Sequence, residues 1–261
     1  LLAFARPGPA SAQIFRIDSL RAQLKTDGPT KARVDHLIGL AFAISDAESD
    51  IEYDEIPLLL DEANALSHEL GYAKGLAHAP MAAAFRARAL GRYAEALVGY
   101  KASIALLDAA RAEQGITSPL ADIRRVYTAA GLQQERFEFY RSALDRYRRT
   151  GPAMNAAICE HGLGGYYIGT RQYGLAIEHY LKAREGLPDD AGNETMVIGQ
   201  CYMDWGNPER AEIFLREAMV LLVEQRNMDQ YAGCLLGLGE IALRRGDAGT
   251  ALDHFRAMRP Y

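Results

Sequence analysis

Residues 163–183, LGGYYIGTRQYGLAIEHYLKA, decide the fold. Their spacing predicts two short helices joined by a turn around Arg171. In the second helix Tyr173, Ala176, Tyr180 and Ala183 recur at intervals of three and four residues, which places them on one helical face. Because such a hairpin cannot bury its apolar face alone, the sequence predicts further copies stacked beside it.

The same arrangement recurs along the chain. The typical copy has an apolar and then a small residue eight and seven positions before a turn residue, and a small, a large and a small residue five, nine and twelve positions after it. The turn residues are spaced by 40, 40, 35 and 40 positions: Gly91, Gly131, Arg171, Gly206 and Gly246. The copy around Gly131 has Arg124 and Arg136 at small-residue positions, so looser packing is predicted there.

This pattern resembles the tetratricopeptide repeat family. The resemblance is carried by the turn glycines and by these runs: Leu163-Gly164, Ile198-Gly199, Leu238-Gly239, Tyr93–Ala96–Tyr100 and Tyr173–Ala176–Tyr180–Ala183. It implies an all-α fold, a right-handed superhelical solenoid of stacked antiparallel helix hairpins. The family period is about 34 residues, so a spacing of 40 implies longer helices or longer turns. We expect an N-terminal arm over residues 1–30 and a single solenoid over 31–261, with one degenerate and five clear hairpins.

Composition and charge limit the functional classes. The net charge of −5 does not suggest a nucleic-acid-binding face. Apolar runs stay well short of the roughly 20 residues that a membrane span needs, so no membrane partner is expected within this chain. The three cysteines, Cys159, Cys201 and Cys234, each fall in the predicted first helix of a hairpin and are interpreted as small buried residues.

Three segments lie outside the clear repeats. Residues 1–12 resemble the tail of a secretory signal ending in an A-x-A pattern, with a plain N-terminal arm as the alternative, so a periplasmic and a cytoplasmic location both stay open. Residues 45–54 are acidic and are predicted to form a solvated turn. The repeat pattern runs up to Tyr261 with no polar cap, which favours a longer protein.

The sequence offers no constellation of catalytic residues, and no cofactor or metal ion is expected. The glycines at 162, 164 and 165 fall inside a predicted helix rather than between a strand and a helix, which argues against a phosphate-binding loop. An enzymatic function is therefore not predicted for this chain, although a further output domain could be enzymatic.

What remains is a groove. The resemblance implies that residues ten, six and three positions before each turn line the concave surface. The candidate binding residues are Met81, Phe85, Arg88, Arg125, Thr128, His161, Met196, Gln200, Met203 and Glu240. Arginine pairs well with carboxylates, so the expected partner is a protein or peptide with an acidic group. A second copy of the chain is an alternative partner, and a solvated or self-filled groove is the alternative to binding.

Two known groove types are disfavoured by these positions. The clamp that binds chaperone tails uses Lys and Asn, and the peptide-pheromone regulators place Asn six before each turn, where this chain has other residues. The long-period repeats resemble the N-terminal regions of bacterial diguanylate cyclases and sensor histidine kinases. The resemblance implies a non-catalytic sensory or docking region of a larger signalling protein, with a stand-alone cytoplasmic scaffold as the alternative.

Overall fold

The computed structural model describes residues 9–46, 55–109, 117–225 and 227–258. The signal-like stretch 1–12 and the acidic stretch 45–54 fall largely outside these residues. Within the described ranges the secondary structure is helical, with no strand. The α-helices are α1 Pro9–Thr26, α2 Lys31–Asp46, α3 Glu55–Leu70, α4 Ala73–Ala89, α5 Tyr93–Ala109, α6 Thr117–Ala129, α7 Gln133–Thr150, α8 Ala153–Gly169, α9 Tyr173–Gly186, α10 Ala191–Asp204, α11 Pro208–Glu224, α12 Met228–Arg244 and α13 Ala248–Ala257.

The chain divides into two compact units, residues 1–135 and 136–261. In unit 1, α2 packs on α3 and α4 on α5, with α1 against α2 and α6 against α5. In unit 2, α8 packs on α9, α10 on α11 and α12 on α13. The predicted all-α class of antiparallel helix hairpins is confirmed. A single solenoid over residues 31–261, and looser packing near Arg124 and Arg136, stay predictions.

The predicted turns end their helices by one shared mechanism. Gly91, Gly131, Gly206 and Gly246 have positive φ, and so does Arg171 at 58°. A left-handed residue after a helix lets the next N–H reach back to an otherwise unpaired carbonyl. The N–H of Arg92 donates to the carbonyl of Ala87 (2.8 Å) and that of Gln172 to the carbonyl of Tyr167 (2.9 Å). Gly71 has the same conformation at the end of α3.

Small residues allow the helices of a hairpin to approach closely, as the sequence predicted. A Cβ placed on Gly164 of α8 would lie 2.8 Å from the Tyr180 ring of α9. The corresponding Gly239 of α12 would meet the Phe255 ring at 2.3 Å. The small residues five positions after the turns, Ala96, Ala176, Ala211 and Ala251, are at most 1% exposed. Gly162, where a Cβ would lie 2.6 Å from the Tyr140 ring, and Gly164 therefore serve packing inside a helix.

Helix length explains the spacing between turns. The helices α7 and α8 have 18 and 17 residues, and only Gly151 and Pro152 lie between them, so the spacing from Gly131 to Arg171 is 40. The helices α9 and α10 have 14 residues each, which gives the shorter spacing of 35. Longer helices, rather than longer turns, account for the 40-residue period in this part of the chain.

The buried face of the hairpins is apolar and includes the three cysteines. Cys159, Cys201 and Cys234 are at most 1% exposed and are free thiols, as predicted. Burial raises the pKa of both Cys201 and Cys234 to about 12, so these thiols are protonated at neutral pH. Among the described helices, none is both long enough and apolar enough to cross a membrane.

Candidate functional site

An open pocket in unit 1 collects three of the candidate groove residues. The pocket has a volume of about 820 Å³, within the usual range for ligand sites. The start of α3, the C-terminal half of α4 with its turn, and one face of α6 form its walls. We call it the arginine pocket; it is lined by Ile56, Pro57, Leu58, Phe85, Arg86, Arg88, Ala89, Leu90, Arg92, Tyr93, Arg125 and Ala129.

The pocket joins apolar and cationic surfaces. Its four arginines are accompanied by no carboxylate among its lining residues. Leu58 and Leu90 are each 67% exposed, whereas Ile56 is fully buried at the pocket wall. The arrangement can therefore hold an anionic group and an apolar group side by side.

Carboxylates outside the lining orient the guanidinium groups. Arg86 pairs with Asp61. Arg92 pairs with Glu95 at 3.2 Å between Nη1 and Oε2, and Arg125 lies 3.9 Å from Asp122. A guanidinium carries its N–H donors in a planar fork that matches the geometry of a carboxylate.

Two aromatic rings in edge-on contact lie beneath Arg88 of the pocket. The guanidinium of Arg88 lies over the Phe85 ring, 5.4 Å from its centroid, and Phe85 meets the Tyr100 ring edge-on at 5.9 Å. Tyr100 is fully buried, and its hydroxyl has no hydrogen-bond partner within the described ranges. Burial raises the pKa of Tyr100, and Asp122 raises it further while Arg88 and Arg125 lower it, which places these charges close to the hydroxyl.

The other candidate residues of unit 1 have different surroundings. Met81 is fully buried in the core and makes no surface contact. Thr128 is exposed, and its hydroxyl donates to the carbonyl of Arg124 at 2.9 Å. The structure thus brings Phe85, Arg88 and Arg125 to one pocket and separates Met81 from it.

The five candidates of unit 2 do not share a pocket among those found in the described residues. Met203 is 1% exposed and belongs to the core, and Met196 packs against that core. Gln200 is exposed and donates to Asp204 at 3.3 Å, and Glu240 is half-buried. His161 is paired with the buried Glu194, 2.8 Å between Nδ1 and Oε1.

Unit 2 also contains a second charged cluster that sequence reasoning missed. Glu160 of α8 is 4% exposed and accepts hydrogen bonds from Arg148 of α7 and His179 of α9. Burial alone would raise the pKa of Glu160, but the hydrogen bonds and charges of His179 and Arg148 outweigh it and hold the pKa below its ordinary value. These pairs connect helices inside unit 2, so their first role is structural. Among the described residues, His, Cys, Asp and Glu are nowhere grouped in threes as they would be around a metal ion.

Comparison with known proteins supports the fold. The chain matches no family model, and no curated protein matches it. Among solved structures it is similar to a STAND signal transduction ATPase with a tetratricopeptide repeat sensor from Pyrococcus horikoshii (TM-score 0.63, 15% identity, 97% of this chain and 41% of that one). It is also similar to NprR in complex with its cognate peptide NprX (TM-score 0.58, 16% identity, 95% of this chain and 73% of that one). BtubC from P. vanneervenii is a third similar structure (TM-score 0.55, 15% identity, 84% of this chain and 91% of that one). The fold is therefore that of tetratricopeptide-like helical repeats.

Proposed function

We propose that this chain is a non-catalytic module that binds a protein or a peptide. The observation that carries the proposal is the arginine pocket, an open site of mixed apolar and cationic character on a repeat fold. Similar folds hold peptides, since NprR binds NprX and a Rap conjugation regulator binds the Phr* peptide. The cationic lining favours a partner with acidic groups.

A selection with random peptides tests this function without a known partner. The purified chain is immobilised and offered a phage library of short random peptides, and enriched peptides are resynthesised for titration by fluorescence polarisation. We expect saturable binding to the folded chain and none to a heat-denatured sample. Failure to enrich any peptide that binds saturably would count against peptide recognition.

We further infer that the module is the N-terminal sensory or docking region of a larger bacterial signal-transduction protein, of the diguanylate cyclase or histidine kinase type. The support is the resemblance of the long-period repeats to such regions, and the similar fold of a repeat sensor within a signal transduction ATPase. Reading the gene beyond the Tyr261 codon tests this: an output domain would support it. A stop codon soon after would contradict it.

A stand-alone cytoplasmic scaffold is the second candidate. The observation that favours it is that Cys159, Cys201 and Cys234 are all free thiols, because unpaired cysteines are less common in oxidising compartments. Fractionation of the native host with an antibody against the chain separates the two: a periplasmic location would contradict the scaffold.

A further inference from the structure

The two chemistries of the arginine pocket lie close enough to be reached by neighbouring groups of one ligand. Arg88 and Leu90 are two residues apart at the end of α4, and both line the pocket. Arg125 of α6 lines it as well, together with Leu58 at the start of α3. A ligand in the pocket that carries an anionic group and an apolar group therefore meets both surfaces.

The anionic part of the site is prepared before binding. The cation–π contact with Phe85 restricts the Arg88 guanidinium, and Asp122 lies 3.9 Å from the Arg125 guanidinium. Phe85 is in turn fixed by edge-on contacts with Phe42 at 6.2 Å and Tyr100 at 5.9 Å. Side chains that are already ordered lose less entropy when a ligand binds.

The apolar part has exposed surface to lose. Leu58 and Leu90 are each 67% exposed, whereas the neighbouring Leu59 and Leu60 of α3 are buried. A large apolar side chain placed between them would remove this surface from water. A small inorganic anion could use the arginines but would leave the leucines exposed, so the pocket favours an anion attached to an apolar group.

We propose that the arginine pocket recognises a two-part feature of a partner's polypeptide: an aspartate or glutamate carboxylate held by Arg88 and Arg125, and a neighbouring large apolar side chain held by Leu58 and Leu90. This inference rests on the proposed peptide-binding function and specifies its ligand. It locates recognition at the turn end of α4, with contributions from α3 and α6.

The experiment combines peptide variants with protein variants. Peptides enriched from the random library are compared for an acidic residue next to a large apolar one, and each is remade with Glu or Asp changed to Gln or Asn, and with the apolar residue changed to Ser. We expect each change to weaken binding to the wild-type chain by about tenfold, as expected for loss of a charge-assisted contact or a buried side chain.

Three protein variants are titrated with the same peptides. The double variant Arg88→Gln/Arg125→Gln should lose about tenfold or more in affinity, and Leu90→Ser should lose several-fold, about as much as burial of one leucine surface provides. The control Arg141→Gln/Arg216→Gln removes two exposed arginines of unit 2 and should bind as wild type. Circular dichroism melting of each variant shows that the fold is kept.

The outcomes separate this inference from the function on which it rests. If peptides bind but the double variant binds them as tightly as wild type, peptide recognition stands and the arginine pocket is not its site. If the enriched peptides are basic, or polar without an apolar residue, the two-part feature is wrong. If no peptide binds saturably, the proposed function fails.

Discussion

The hairpin α4–α5 of unit 1 and the hairpin α8–α9 of unit 2 share a scaffold but use their charges differently. Ala96 and Ala176 are both fully buried at the same repeat position, and Tyr100 and Tyr180 occupy the next core position. In α8, however, Glu160 and His161 form ion pairs with neighbouring helices. In α4, Arg86 and Arg88 line an open pocket. The repeat's core positions thus determine the hairpin, and its remaining positions determine what the hairpin does.

The largest effect is expected where the two hairpins are alike. Ala176→Leu and Ala96→Leu each force a larger side chain into a fully buried position, so each should lower the free energy of unfolding by about 2–3 kcal/mol. Urea denaturation measures this. Ala153→Leu, at an exposed position of α8, is the matched control and should change little. A large loss in only one of the two hairpins would show that they do not share one register.

The next prediction concerns the buried charges of unit 2. Glu160→Gln keeps the shape of the side chain but weakens its hydrogen bonds to His179 and Arg148, so it should cost about 1–2 kcal/mol at neutral pH. Urea denaturation at a series of pH values measures the gap in stability between variant and wild type.

The sign of the pH dependence follows from the lowered pKa of Glu160. The stability that the carboxylate contributes is present above its unfolded pKa of about 4.5, and is lost as the pH falls through the lower pKa of the folded state. The gap between wild type and Glu160→Gln should therefore narrow as the pH falls below about 4.5. A gap that widened in acid would contradict the assignment.

A smaller effect is expected at the turns. Arg171 has a φ of 58°, a region that costs a non-glycine residue about 1 kcal/mol, whereas Gly91 occupies the same turn of unit 1 at 70° without that cost. Arg171→Gly should raise the free energy of unfolding by about 0.5–1 kcal/mol. Gly91→Ala should lower it by about 1 kcal/mol. Thermal melting of both variants checks the pair, and a loss of stability in Arg171→Gly would contradict this explanation.

The smallest effect is expected beneath the arginine pocket. Tyr100→Phe removes a buried hydroxyl that has no partner among the described residues, so stability should stay the same or rise by up to about 1 kcal/mol. Chemical denaturation measures the change, and Tyr140→Phe in unit 2 is a comparison at the same repeat position. A clear loss of stability in Tyr100→Phe would mean that the hydroxyl has a partner.

Much of the fold could be predicted from the sequence because the repeat is defined by the sizes of the residues at fixed positions. Small and large residues occur at fixed offsets from the turns, and two packed helices need a residue of the right size at each buried position. The buried positions of Ala176, Tyr180 and Gly164 could therefore be predicted. The turn at Arg171 could be predicted because the neighbouring residues keep the repeat spacing although glycine is absent there. The structure shows that Arg171 has the left-handed conformation.

The pocket could be predicted only in part. Offsets from the turn selected Phe85, Arg88 and Arg125. They cannot show that the start of α3 lies beside the end of α4. Leu58 and Leu90 were therefore missed. The signal available in the sequence was a leucine near the end of a predicted helix. The same offsets selected Met81 and Met203, which are buried, because an offset from the turn does not by itself distinguish a groove position from a core position.

We propose that recognition takes place in unit 1 at the arginine pocket, whereas the buried charges of unit 2 pair with one another and stabilise its helices. Hydrogen–deuterium exchange on the full chain, with and without an enriched peptide, tests it most directly. We predict slower exchange at the start of α3, over residues 85–93 and at the end of α6, with unit 2 unchanged. Protection confined to the unit 2 candidates, around His161, Met196, Gln200 and Glu240, would contradict the claim.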